Sequence, residues 1–261
     1  MIECIIKDIN NIEKAKFCGN EIVVDYEQSY AEGDTINVKS DTKFVSVSFD
    51  ESQKQSIVYV PDCKFIYPVP YGKALEAYDE ASWTKKGHRI SIKPVDANEF
   101  YAKRNIALNS IDFKDNEMTY PHAFATAVTR NEPVFEAKNS IDGIKENSCH
   151  GKYPYQSWAA GAREDMEYML YFGTNVEVEE IIFYLRADFP HDTYWKSLSV
   201  KFSDNKKIPM QFEKTAVGQV LSFETPVITD RIILTDFKQI TEELSWAALT
   251  QIEVIGRYIE E

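Results

Sequence analysis

The chain has 261 residues and a mass of 30.1 kDa, enough for one large β domain or two of ordinary size. Hydrophobic residues make up 44% and charged residues 27%, a balance that supplies real cores and excludes global disorder. With 29 basic against 42 acidic side chains the formal charge is −13 at pH 7, so the overall field repels phosphate backbones and anionic surfaces, and neither nucleic acid nor membrane is expected as a partner.

The stretch from Met1 to Phe17 is interrupted by Lys7, Asp8, Glu13, Lys14 and Lys16 and holds no apolar run of signal-peptide length. The expectation is a cytoplasmic protein, or a secreted one if a leader has been removed. Period-two alternation predicts strands over 21–28, 35–40, 43–50, 55–60 and 89–95, with Val45, Val47 and Phe49 on one face and Ser46 and Ser48 on the other. The run Tyr67-Pro68-Val69-Pro70-Tyr71-Gly72 is predicted as an edge strand or an ordered loop, because neither proline has an N–H to give to a ladder. Tyr67, Tyr71, Tyr78, Trp83 and His88 form an aromatic, proline-bounded patch that either extends a binding surface or seals two domains together. The polar, irregular stretch 103–120 marks a boundary. It gives an N-terminal β-sandwich domain over 1–103 and a second domain over 104–261.

In the second domain strands are predicted over 167–173, 180–187, 197–204, 219–223, 231–237 and 249–255. The fold class is all-β. No strand is evident over 134–167, and a loop region that long inside a compact domain points to function. Cys4, Cys18, Cys63 and Cys149 are scattered with no C-x-x-C pair, so they are read as reduced, mostly buried thiols.

Chemistry-bearing residues concentrate in two segments. Where the strand over 180–187 runs out, Arg186, Asp188, His191, Asp192 and Trp195 fall within ten residues. A planar guanidinium beside a carboxylate offers fixed donors and acceptors that match adjacent hydroxyls on a sugar ring, and Trp195 or Trp158 offers a face to its C–H surface. The cluster reads as carbohydrate recognition. The second segment, 147–158, is nearly all polar tips and aromatic faces, fixed by Gly151 and Pro154 and carrying His150 and Trp158. His150 and Trp158 are expected to meet Arg186, Asp188 and His191 in one pocket. Plainer roles stand beside these: an Arg186–Asp188 ion pair that pins the loop, Trp195 as core, and Trp158 as a plug in the sandwich.

Imidazoles and carboxylates at His150, His191, Asp188 and Asp192 also suit zinc or iron. A metal-dependent enzyme acting on a carbohydrate at the same pocket is therefore one alternative, and a protein-interaction or homo-oligomerisation module is another. No acid pair for glycoside hydrolysis is identifiable, and the sequence has no phosphate-cradling glycine loop, G-x-S-x-G or H-E-x-x-H. The leading reading is non-catalytic.

Several landmarks occur in a telling order: Ser140-Ile141-Asp142-Gly143, Ser157-Trp158, a strand ending at Gly173, Lys201-Phe202-Ser203-Asp204 and Leu249-Thr250-Gln251-Ile252-Glu253-Val254-Ile255-Gly256. Over residues 120–258 this order resembles the discoidin, or coagulation factor V/VIII type C, family. The resemblance implies a galactose-binding-like jelly-roll sandwich, common in bacterial carbohydrate-binding modules, with ligands held by loops at one end. It also implies a structural calcium near the Asp-Gly loop, for which Asp142 is the available ligand; Ile144 and Gln251 stand where the family often has acids.

Overall fold

The computed structural model describes residues 1–163, 165–186, 193–240 and 246–259. Eight strands build the first half: β1 (Ile2–Lys7), β2 (Glu13–Gly19), β3 (Ile22–Tyr26), β4 (Thr35–Lys39), β5 (Phe44–Ser48), β6 (Ser56–Tyr59), β7 (Lys64–Pro68) and β8 (His88–Pro94). They form two antiparallel sheets, ordered β2-β1-β4-β7 and β3-β8-β5-β6. Alternation does the work. On β1, Ile2, Cys4 and Ile6 are buried while Glu3, Ile5 and Lys7 are not. The buried faces of the two sheets meet in one core that includes Ile36, Val38, Val45, Val47, Ile90 and Ile92, as a sandwich requires. The proline-bearing segment begins in the last residues of β7, an edge strand paired with β4 alone, and leaves it at Pro68. Of the aromatic patch, Tyr67, Trp83 and His88 are buried inside this sandwich and Tyr71 is exposed.

The second half contains β9 (Arg104–Asn105), β10 (His122–Ala125), β11 (Trp158–Ala159), β12 (Tyr168–Leu185), β13 (Trp195–Phe202), β14 (Lys207–Gln211), β15 (Gln219–Gln239) and β16 (Ala248–Tyr258). The order is β11-β16-β12-β15-β13-β14, with β10 beside β12 and β9 beside β16. The predicted strands over 167–173 and 180–187 are one continuous element, β12, and those over 219–223 and 231–237 are likewise one, β15. The turn residues inside each bend a strand rather than end it. Gly173, at φ +73°, is such a bend, and a Cβ there would meet the Tyr120 ring at 2.5 Å and Tyr59 at 2.9 Å. The bends let β12 and β15 pass from one layer to the other around a core of Trp158, Phe172, Phe183, Val200, Leu234 and Val254.

The irregular segment 104–120 joins the halves. It leaves β16 through β9, sends Ile111 into the first core, and closes with paired hydrogen bonds between Tyr59 and Tyr120. Asp112 anchors it to β10: its carboxylate accepts from His122 at 2.8 Å, Asn116 at 2.8 Å and the Ala123 N–H at 2.9 Å. All four cysteines are free, as expected for reduced thiols, but only Cys4 is buried. Burial pushes the Cys4 thiol up to about 12. Cys18 and Cys149 are exposed and Cys63 is half-buried, because each sits on an outward position or a turn instead of a core-facing strand site. Among the described residues no helix is long and apolar enough to cross a membrane.

Candidate functional site

Leu185 at the end of β12 pairs with Leu249 near the start of β16, and Trp195 at the start of β13 pairs with Gln239 at the end of β15. Antiparallel pairing thus gathers four strand ends at one pole of the second sandwich. The loop region 126–167 covers the same pole, because β11 within it pairs with Leu249 and Ala248. A cavity of about 310 Å³ opens there, lined by Thr129, Arg130, Phe135, His150, Ala159, Arg186 and Trp246.

Each wall has a local cause. Arg130 and Asn131 both hold left-handed backbone, at φ 50° and 53°, a conformation that costs non-glycine residues of order 1–3 kcal/mol. The tight turn that results carries Arg130 into the cavity, where its guanidinium lies 5.5 Å from the Phe135 ring centroid. Glu132 steadies it through two hydrogen bonds of 2.8 and 3.0 Å. Thr129 is fixed by its hydroxyl, which donates to the Ala159 carbonyl at 2.9 Å. Arg186 is buried, and its Nη2 donates to the Trp246 carbonyl while its backbone N–H donates to Ala248 at 3.1 Å. The Trp246 N–H in turn donates to the Thr193 hydroxyl at 3.1 Å. The backbone of Trp246 is thereby held from both sides, and its side chain stays 38% exposed. Chemically the cavity offers the Arg130 guanidinium, an imidazole, a hydroxyl and an aromatic face, with the Arg186 guanidinium buried in its wall.

The sequence-predicted site residues divide accordingly. His150 and Arg186 line the cavity together. Trp158 and Trp195 do not: at 0% and 1% exposure they are core, with ring centroids 5.6 Å apart and both packed on Phe237. The reason is position. Both lie on inward-facing strand sites, and the Trp158 indole N–H already donates to Ala127 at 3.1 Å. Asp188, His191 and Asp192 lie outside the described residues. Sequence reasoning missed Thr129, Arg130, Phe135 and Trp246. The available signal was a tryptophan in a polar run just before a strand, at 241–248.

The calcium expectation at Asp142 does not fit the donors present. Asp142 Oδ1 accepts from the Ile144 N–H at 2.7 Å and Oδ2 from the Gln156 amide at 2.8 Å. The Gln251 carbonyl oxygen is taken by the Gly143 N–H at 3.2 Å. A hard dication wants several oxygens, and this half-buried carboxylate has its pKa pushed up to about 7 by desolvation that those hydrogen bonds only partly offset. Among the described residues no group of three or more His, Cys, Asp or Glu side chains is placed to hold a metal. Cys149 Sγ donates to the backbone carbonyl of His150 at 3.8 Å.

No family model and no curated protein matches the chain. Solved structures similar to it include chitosan-binding module 1 of a chitosanase/glucanase from Paenibacillus sp. IK-5, at 16% identity and a TM-score of 0.41 over 59% of this chain and 99% of that one. The family 32 CBM of C. perfringens NanJ, solved with galactose, is 15% identical at a TM-score of 0.36 over 51% of this chain and 90% of that one. A Streptococcus pneumoniae fucose-binding module is 12% identical at 0.41 over 60% and 99%.

Proposed function

We propose that this chain is a non-catalytic carbohydrate-binding protein that grips a sugar in the cavity beside Trp246, at the loop pole of the second sandwich. The observation that carries the reading is the meeting of a partly exposed indole with Arg130, Arg186 and His150 around one concavity of about 310 Å³. That volume lies at the small end of the range for small-molecule sites. A sugar ring presents an apolar C–H face and a rim of vicinal hydroxyls. Trp246 takes the face, and the exposed Arg130 guanidinium, which Glu132 engages only through Nε and Nη2, gives paired donors to the rim from its Nη1 edge with a geometry that an ammonium cannot reproduce. The walls are held beforehand, Arg130 by Glu132 and the Trp246 backbone by Arg186, which lowers the ordering cost of binding.

The test is a glycan array followed by calorimetry on the strongest hits, with galactose, fucose and chitosan oligosaccharides among the probes. Saturable binding by the wild-type chain and its loss in Trp246→Ala support the proposal. An array without hits, or unchanged affinity in Trp246→Ala, removes it.

A further inference from the structure

The wall behind Phe135 has a second side. We propose that the cleft there is a second subsite for the same glycan, so that the ligand is an oligosaccharide whose chain crosses the Pro133–Phe135 turn; this rests on the carbohydrate reading above. The cleft, about 300 Å³, lies between the two halves and is lined in part by Tyr71, Tyr78, Phe113, Pro133, Glu136 and Lys138. Phe135 lines the Trp246 cavity, whereas its neighbour Glu136 and Pro133 two residues before it line this one. Consecutive Cα atoms are about 3.8 Å apart, so the two concavities share a wall one turn thick. That wall is braced from both halves: Glu132 lies 4.0 Å from Lys73, and Asn131 accepts from Lys114 at 3.0 Å.

The cleft repeats the chemistry of the first cavity in a neutral form. Tyr71 is 52% exposed, and the fixed φ of Pro70 before it limits the wander of its backbone. Lys138 Nζ sits 4.7 Å from the Tyr78 ring centroid and 3.4 Å from its hydroxyl. Lys114 and Lys138 are balanced by Asp115 and Glu136, so the lining offers an aromatic face with donors and acceptors and no net charge. That combination suits an uncharged, polyhydroxylated chain better than an ionic ligand. A glycan long enough to reach both sides makes its second contact intramolecular, and affinity then rises with length.

The experiment is a printed microarray of glycans from one to six sugar units, probed with the wild-type chain, Tyr71→Ala and Trp246→Ala. Wild-type signal is expected to rise with length. Tyr71→Ala, a change at an exposed side chain, should bind one- and two-unit glycans normally and lose about tenfold on the longest, the worth of one aromatic contact. Trp246→Ala should lose binding at every length. A Tyr71→Ala profile equal to wild type, or wild-type binding that ignores length, overturns the second subsite while the first stands. Binding retained by Trp246→Ala overturns the Trp246 cavity as the site and the subsite with it, and no wild-type binding at all overturns the carbohydrate reading as well.

Discussion

Trp158 and Trp246 should respond to the same substitution in opposite ways. Trp158 is fully buried, packs its ring 5.0 Å from Tyr168 and 5.6 Å from both Trp195 and Phe237, and donates to the Ala127 carbonyl. Truncating a buried tryptophan to alanine costs about 3–5 kcal/mol from lost transfer energy and cavity formation. The Ala127 carbonyl also loses its partner. At roughly 2–4 °C per kcal/mol for a domain of this size, Trp158→Ala should lower the melting temperature by about 6–20 °C. Trp246 hydrogen-bonds through its backbone N–H and carbonyl, which alanine keeps. Trp246→Ala should therefore melt within a few degrees of wild type and lose glycan binding. Differential scanning calorimetry and titration calorimetry on both variants decide it. A Trp158→Ala variant that melts normally yet fails to bind would place Trp158 in the site and refute the assignment of the two rings.

Three further outcomes follow from local environments. Desolvation raises the Asp142 pKa from 3.8 to about 7, so the folded state holds a proton that the unfolded chain has released, and this group costs stability as pH rises from about 4 to 7. At about 1.4 kcal/mol per pH unit the upper bound is roughly 4 kcal/mol; urea unfolding of Asp142→Asn should show a flatter profile across that window, and an unchanged slope contradicts it. Burial pulls the His122 pKa down, but the hydrogen bond to Asp112 and the charges of Asp112, Asp115 and Glu117 outweigh it and leave the value above 6.5. Its contribution is complete below about 6.5 and fades as pH climbs through the raised value; an NMR titration midpoint below 6.5 contradicts this. Gly173→Ala should cost about 2 kcal/mol or more, because its φ of +73° and the Tyr120 ring both oppose a Cβ; an unshifted urea midpoint would show that the bend adapts.

Some strands were legible from strict alternation of residue type, as at Val45-Ser46-Val47-Ser48, but not β1, whose burial alternates while the successive apolar residues Cys4, Ile5 and Ile6 hide the period. Strands were also missed where charges crowd them, as on β2 with Glu13, Lys14 and Lys16, since polarity there reads as loop. Breaks were misread inside β12 and β15 because a glycine or a Thr-Pro-Val turn looks the same in sequence whether it ends a strand or bends it. His150 and Arg186, expected from loop composition to share a pocket, do line one cavity. Trp158 and Trp195 were misjudged because the sequence shows an aromatic near a loop without showing the face from which it leaves its strand. Arg130 was hidden for another reason: its entry depends on two successive left-handed residues, Arg130 and Asn131, which no local pattern announces.

The indole N–H resonances separate the tryptophans directly. In a ¹⁵N-edited titration with the strongest array ligand, the Trp246 resonance should shift saturably, with the same midpoint as calorimetry, while those of Trp158 and Trp195 stay in place. Calorimetric binding with Trp246 unmoved would contradict the account.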